Sequence, residues 1–157
     1  MIKKSLILTI SIFILNSCIG AMPQYKSSNS AFITFKTPTL KYSDMGFIDE
    51  ASGETKVEIY SNGQSVMRLR VTPTQVCMSN LSCMSAQEFN KKILKANYPK
   101  DTLQKIFKGE EIFGGKNKIE TKNGFIQQID SIRYKVSKDE ISFTDSSTST
   151  TIRIKKI

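Results

Sequence analysis

Side chains that commonly carry chemistry in proteins are few in this chain. It has no histidine among its 157 residues, which excludes Ser-His-Asp and Cys-His nucleophiles, imidazole bases and histidine metal ligands. Its acids include the adjacent pairs Glu110-Glu111 and Asp139-Glu140, whose side chains diverge in a helix or a strand. Since no spacing of residues predicts a catalytic pair or a metal site, we expect a protein without enzymatic activity, metal or cofactor.

The first of three cysteines, Cys18, follows a segment with the layout of an export signal. Two lysines precede an apolar run over residues 6–15, which is shorter than the roughly 20 residues of a transmembrane helix. The run ends in Leu15-Asn16-Ser17-Cys18, which resembles the lipobox of bacterial lipoproteins. The resemblance implies cleavage before Cys18, followed by acylation of its thiol and its amine. The alternative is an ordinary secreted protein in which Cys18 has no such role.

Acylation of Cys18 would anchor the chain in a membrane, because each buried methylene contributes about 0.8 kcal/mol. Ile19 stands where an aspartate would resemble an inner-membrane retention signal. We therefore expect the periplasmic side of the outer membrane, with surface exposure as the alternative, and no nucleic acid as a partner. The chain then divides into a signal peptide (1–17), a lipidated tether (18–31) and one domain (32–157).

The other two cysteines, Cys77 and Cys83, lie six positions apart. In an oxidising compartment this proximity favours a disulfide bond between them. Their spacing differs from the Cys-x-x-Cys redox motif, and the chain lacks the further ligands of a zinc site. A reduced, buried pair and a redox-active or metal-binding pair are the alternatives.

Alternating apolar and polar residues predict about seven or eight antiparallel strands around a helical insert. Asn62-Gly63 predicts a tight hairpin turn between two of the strands. Ser85 and Glu88 have the spacing of a capping box at a helix start, and Gly109 suits a helix end. We expect an α+β fold with a curved, half-barrel-like antiparallel sheet and a two-helix insert packed on one face.

The order of these elements over residues 32–157 resembles that of the outer-membrane lipoprotein receptor LolB and its periplasmic relative LolA. Strands come first, then a two-helix insert, the segment Gly124-Phe125-Ile126-Gln127-Gln128-Ile129 and further strands. The resemblance implies a half-open sheet with helices over its mouth, which carries the acyl chains of other lipoproteins. We expect a LolB-like, monomeric binder of lipoprotein acyl chains or other lipids. The alternative is an envelope assembly or interaction lipoprotein that docks a protein or glycolipid partner.

Two candidate surfaces follow from the strand and helix patterns. The apolar side chains form either a closed core or an acyl-binding cavity between sheet and helices. The candidates for the cavity are Phe89, Ile93, Leu103, Ile106, Phe107, Met67, Leu69, Tyr134 and Phe143. The net charge of +9 is explained either by general solubility or by a basic face for anionic lipid or glycolipid phosphates. The candidates for the basic face are Arg68, Arg70, Arg133, Lys135 and Arg153.

Overall fold

The computed structural model describes residues 23–79 and 82–157. The predicted signal peptide and the predicted lipidation site at Cys18 lie outside these ranges. Within them, no helix has both the length and the apolar character that crossing a membrane requires.

One antiparallel sheet dominates the described part of the chain, and two short helices accompany it. The fold is therefore α+β, as predicted from the sequence. The helices are α1 (Ala86–Lys92) and α2 (Thr102–Lys108), and a single 3₁₀ turn follows at Phe113–Gly115. The eleven strands are β1 (Tyr25–Lys36), β2 (Lys41–Ala51), β3 (Glu54–Ser61), β4 (Gln64–Val71), β5 (Gln75–Met78), β6 (Ser82–Ser85), β7 (Lys118–Thr121), β8 (Gly124–Ile129), β9 (Ile132–Ser137), β10 (Glu140–Asp145) and β11 (Thr150–Lys156).

Strands that follow one another in the chain are neighbours in the sheet, apart from β6 and β7. The order is β6-β5-β4-β3-β2-β1-β11-β10-β9-β8-β7, so the first and last strands of the chain pair with each other in the middle. β6 and β7 form the two edges, and the described residues do not close the sheet. The insert with both helices connects one edge to the other.

The first strand begins earlier than the sequence pattern predicts. β1 starts at Tyr25 and pairs with β2, so the boundary predicted at residue 32 falls inside the strand. Residues 26–29 are polar and exposed, which removes the apolar alternation that marks a half-buried strand. Their backbone pairing with β2 includes them in the sheet.

A disulfide bond joins Cys77 and Cys83, which lie directly opposite each other on β5 and β6. The two sulfur atoms are 2.03 Å apart. The predicted disulfide is therefore confirmed. It closes the hairpin at one edge of the sheet, immediately before α1.

The hydrophobic core lies between the helices and the inner face of the sheet, which carries Ile33, Phe35, Val57 and Ile59. Helix α1 lies against β5 and β6, while α2 has Cα atoms within 8 Å of both β3 and β10. The ring of Phe107 on α2 stacks on Phe35 of β1, with 6.4 Å between centroids. Helix α2 is thus packed against the middle of the sheet.

Candidate functional site

The insert begins and ends its helices with local signals that the sequence contains. The Ser85 hydroxyl accepts a hydrogen bond from the backbone N–H of Glu88 at 3.1 Å, which starts α1. Helix α2 ends at Gly109, whose φ of 68° is left-handed. Its N-terminal turn is held by an ion pair between Asp101 and Lys105 at 2.9 Å. These signals place the apolar side of each helix toward the sheet.

The structure brings the residues predicted to line a cavity into one apolar cluster. Ile93 is partly buried and packs against it, and the other eight candidates are buried. Phe89, Leu69 and Phe143 have an exposed fraction of 0 %. Since a side chain without exposed surface borders no space that admits water, these residues form a packed core in this conformation.

A cavity lies beside this core, at the C-terminal end of α2. Its volume is about 120 Å³, less than the roughly 300–1,000 Å³ of typical ligand pockets. Lys108 of α2 and Lys156 of β11 line it together with Glu50. Its apolar lining comes from three central strands and β10: Ala31, Ile48, Ile141 and Ile154. The cavity thus combines an apolar lining with two cationic groups and one carboxylate, which leaves an excess of one positive charge.

Helix α2 is fastened to the sheet by the buried side chain of Gln104. Its amide nitrogen donates to the carbonyl oxygens of Gly53 at 3.0 Å and Val71 at 3.3 Å. The first acceptor lies between β2 and β3, and the second lies at the end of β4. This amide therefore joins α2 to three strands of the sheet.

The segment after α2 is fastened by Gln127 of β8, whose exposed fraction is 0 %. Its side-chain oxygen accepts from the backbone N–H of Ile112 at 2.9 Å. Its side-chain nitrogen donates to the carbonyl oxygens of Ile112 at 3.0 Å and Lys116 at 2.8 Å. The hydroxyl of Tyr134 donates to the carbonyl of Glu110 at 2.9 Å. These bonds hold residues 110–116 against the inner face.

The segment between the helices is fastened to the end of β10. The Tyr98 hydroxyl donates to Asp145, which also accepts from the hydroxyls of Ser131 and Ser147. Burial opposes ionisation of Asp145, but these donors outweigh burial and lower the pKa of its carboxyl. Burial and the bond to Asp145 raise the pKa of Tyr98. The pair is thus a neutral phenol bound to a carboxylate.

The predicted basic face is divided into two groups. Arg133, Lys135 and Arg153 lie on β9 and β11, whereas Arg68 and Arg70 lie on β4. In the sheet, five strands separate β4 from β9. The two groups therefore lie on well-separated parts of one sheet.

The arginines of β4 belong to an ion-pair network with β3. Arg70 binds Glu54 at 3.0 Å, and Arg68 binds Glu58 at 2.5 Å. Burial is the largest influence and opposes ionisation of both glutamates, but the arginines outweigh it together with Tyr25 at Glu54 and Lys56 at Glu58, and the pKa of each carboxyl is lowered. Lys56 also binds Glu58, at 3.2 Å. The charges on this part of the sheet are therefore compensated.

Neither a protein-family model nor a curated protein matches this chain. Within the described ranges, no three Cys, Asp or Glu side chains are grouped so that they could hold a metal ion.

The sequence patterns do not single out the residues that line the cavity. Lys108 is separated from Lys156 by 48 positions in the chain, and Ala31 lies in the segment assigned to the tether. β1 pairs with both β2 and β11, and this pairing brings the inner faces of the three strands to the end of α2. The alternation in β11 could have placed Ile154 on the inner face of the sheet, but it could not identify α2 as the helix that packs there.

Proposed function

We propose that this protein is a periplasmic lipoprotein, anchored in the outer membrane, that binds the acyl chains of lipoproteins or other lipids without catalysis. The observation that supports this proposal best is the cavity between α2 and the sheet. Its apolar lining suits methylene groups, and the ammonium groups of Lys108 and Lys156 suit an acidic head group.

The position of α2 supports the half-barrel shape that the LolB resemblance implies. β3 and β10 are four strand positions apart, which in a flat sheet corresponds to about 19 Å. Helix α2 lies close to both strands, although its Cα atoms form a cylinder of only about 2.3 Å radius. A sheet that bends around the helix accounts for both contacts.

Binding of a long acyl chain requires α2 to move, because a cavity of about 120 Å³ is too small for it. Movement of α2 breaks the hydrogen bonds from Gln104 to Gly53 and Val71. Each such bond contributes a net of roughly 0.5–1.5 kcal/mol. An acyl chain offsets this cost, because each buried methylene contributes about 0.8 kcal/mol. The insert then acts as a replaceable part of the core.

Replacing both cavity lysines, Lys108→Gln with Lys156→Gln, is expected to weaken palmitate binding roughly threefold to tenfold. The reason is that each partly exposed ion pair contributes about 0.2–1 kcal/mol. Titration of a fluorescent palmitate analogue into the purified chain measures this effect. Binding of the uncharged methyl ester should stay unchanged.

The matched control for this experiment replaces two exposed lysines away from the cavity, Lys91→Gln with Lys122→Gln. It has the same net charge as the cavity variant and should bind palmitate like the unmodified chain. Equal weakening in both variants would contradict a head-group site at the cavity. Absence of saturable palmitate binding to the folded chain would overturn the proposed function.

The closed packing of the inner face favours a second candidate, an envelope assembly or interaction lipoprotein. Leu94, Ile106 and Tyr134 are fully buried, as in an ordinary core. In this case the insert stays in place, and the outer face of the sheet docks a protein or glycolipid. A folded chain that binds no palmitate but is crosslinked to one stable partner in intact cells would favour this function.

A further inference from the structure

Three large apolar side chains are exposed on the outer face of the central strands. The exposed fractions are 41 % for Phe32, 44 % for Met45 and 44 % for Phe47. Phe32 of β1 lies directly opposite Met45 of β2, and Phe47 is the next outward residue on β2. Phe47 also contacts Tyr60 of β3, with 5.8 Å between ring centroids. Together they form a continuous apolar patch.

Cations adjoin this patch on the side toward β9. Lys155 of β11 lies opposite Phe32, and Lys36 of β1 lies opposite Lys41 of β2. The next outward positions on β11 and β9 are Arg153, Lys135 and Arg133. Among the described outward positions of β9, β10, β11 and β1, Glu140 is the one carboxylate, and it pairs with Arg153 at 3.1 Å. This region therefore carries a large excess of positive charge.

The cations of this region lack the compensation that is present on β3 and β4. Among the described residues, no carboxylate lies within 4 Å of five of them, which are Lys36, Lys41, Arg133, Lys135 and Lys155. The directly opposed pair Lys36 and Lys41 opposes folding of the free protein, since like charges across two strands repel. A bound anionic surface would relieve this repulsion.

We propose that this region binds the surface of an anionic lipid bilayer. We call it the basic-apolar face, and it consists of Phe32, Met45, Phe47, Lys36, Lys41, Arg133, Lys135, Arg153 and Lys155. Apolar side chains insert at the boundary between head groups and acyl chains, while each nearby cation contributes about 1 kcal/mol with anionic lipids. The face thus has both components of interfacial membrane binding.

The length of the tether supports a bilayer as the occupant, and this step rests on the anchored location in the proposed function. Tyr25, where β1 begins, lies seven positions after Cys18. At no more than about 3.6 Å per residue, this segment holds the start of β1 within roughly 25 Å of an anchored Cys18. The start of β1 is therefore kept close to the membrane.

Tryptophan fluorescence tests this contact, because the chain has no tryptophan of its own. Phe47→Trp is introduced into the full lipidated chain, which is reconstituted in vesicles of phosphatidylcholine and phosphatidylglycerol with brominated acyl chains. We expect a blue-shifted emission and at least threefold stronger quenching than for Gln87→Trp, an exposed position on α1, which lies on the opposite side of the sheet. Met45→Trp is a second probe of the same face if the first variant folds poorly.

A charge variant distinguishes specific contact from mere proximity. Lys36→Gln, Lys41→Gln, Arg133→Gln and Lys135→Gln, added to Phe47→Trp, should reduce the quenching to the level of Gln87→Trp. Vesicles of phosphatidylcholine alone should have the same effect. Equal quenching at positions 47 and 87, or quenching that does not depend on these charges, would overturn the proposal. Loss of palmitate labelling in the Cys18→Ala variant tests the lipid anchor separately. Titration of the purified chain with palmitate tests the acyl-binding cavity.

Discussion

Phe107→Ala should lower the free energy of unfolding by about 3–5 kcal/mol, the usual cost of removing a large aromatic ring from a core. Phe107 is 2 % exposed, and its ring stacks on Phe35 at the middle of the sheet. The substitution leaves a cavity beneath α2 that the surrounding strands cannot fill, because they are fixed by pairing on both sides. Urea denaturation followed by circular dichroism measures the change.

Phe47→Ala is the matched control for this core substitution. Phe47 is 44 % exposed on the outer face, so its loss should change stability by only about 0.5 kcal/mol. A loss below about 1.5 kcal/mol for Phe107→Ala would show that α2 is not packed as described. Comparable losses for the two variants would contradict the assignment of inner and outer faces.

Gln127→Glu should destabilise the protein by about 3–5 kcal/mol at neutral pH, although the two side chains have nearly the same shape. The new oxygen would face the carbonyl oxygens of Ile112 and Lys116, which now accept hydrogen bonds from the amide nitrogen. Each lost partner costs roughly 1–3 kcal/mol, and a buried charge adds to this. Denaturant unfolding at several pH values measures the loss.

The pH dependence of this variant has a definite sign. Burial raises the pKa of the substituted carboxyl in the folded state above its value in the unfolded chain. The folded state then retains a proton that the unfolded state releases, so the stability of the variant falls as pH rises through that interval. The difference from the unmodified chain should therefore be smaller at pH 4 than at pH 7.

Gln128→Glu is the control for this effect, since the neighbouring Gln128 is exposed and, among the described contacts, its side chain bonds only the nearby carbonyl of Asp130. It should unfold within about 0.5 kcal/mol of the unmodified chain. Equal stability of the Gln127→Glu variant would contradict the placement of this side chain under residues 110–116.

Much of the fold follows from local patterns in the sequence. The alternation in β3 and β4, the Asn62-Gly63 turn with positive φ at both residues, and the Ser85 cap are all present as predicted. Short strands at or next to the edges escape such patterns, because the four residues of β5, β6 or β7 contain too few alternations. This explains why eleven strands exceed the predicted seven or eight.

Other features depend on contacts that no local pattern contains. Glycine weakens a strand, yet β2 continues through Gly46. A Cβ at this position would lie 2.1 Å from the carbonyl oxygen of Glu58. The close approach of two strands requires glycine at this position. Likewise, the charges of Arg68 and Arg133 look equivalent in the sequence. In the structure, the strand register places Arg68 opposite Glu58, with which it forms an ion pair. Arg133 has no ion-pair partner among the described residues.

In the proposed function, an acyl chain displaces the insert from the core. Hydrogen–deuterium exchange of the purified chain with and without saturating palmitate measures this displacement. We expect faster exchange in the backbone of α2 (Thr102–Lys108), with exchange in β1 and β11 unchanged. Saturable binding without faster exchange in α2, or slower exchange there, would contradict displacement of the insert.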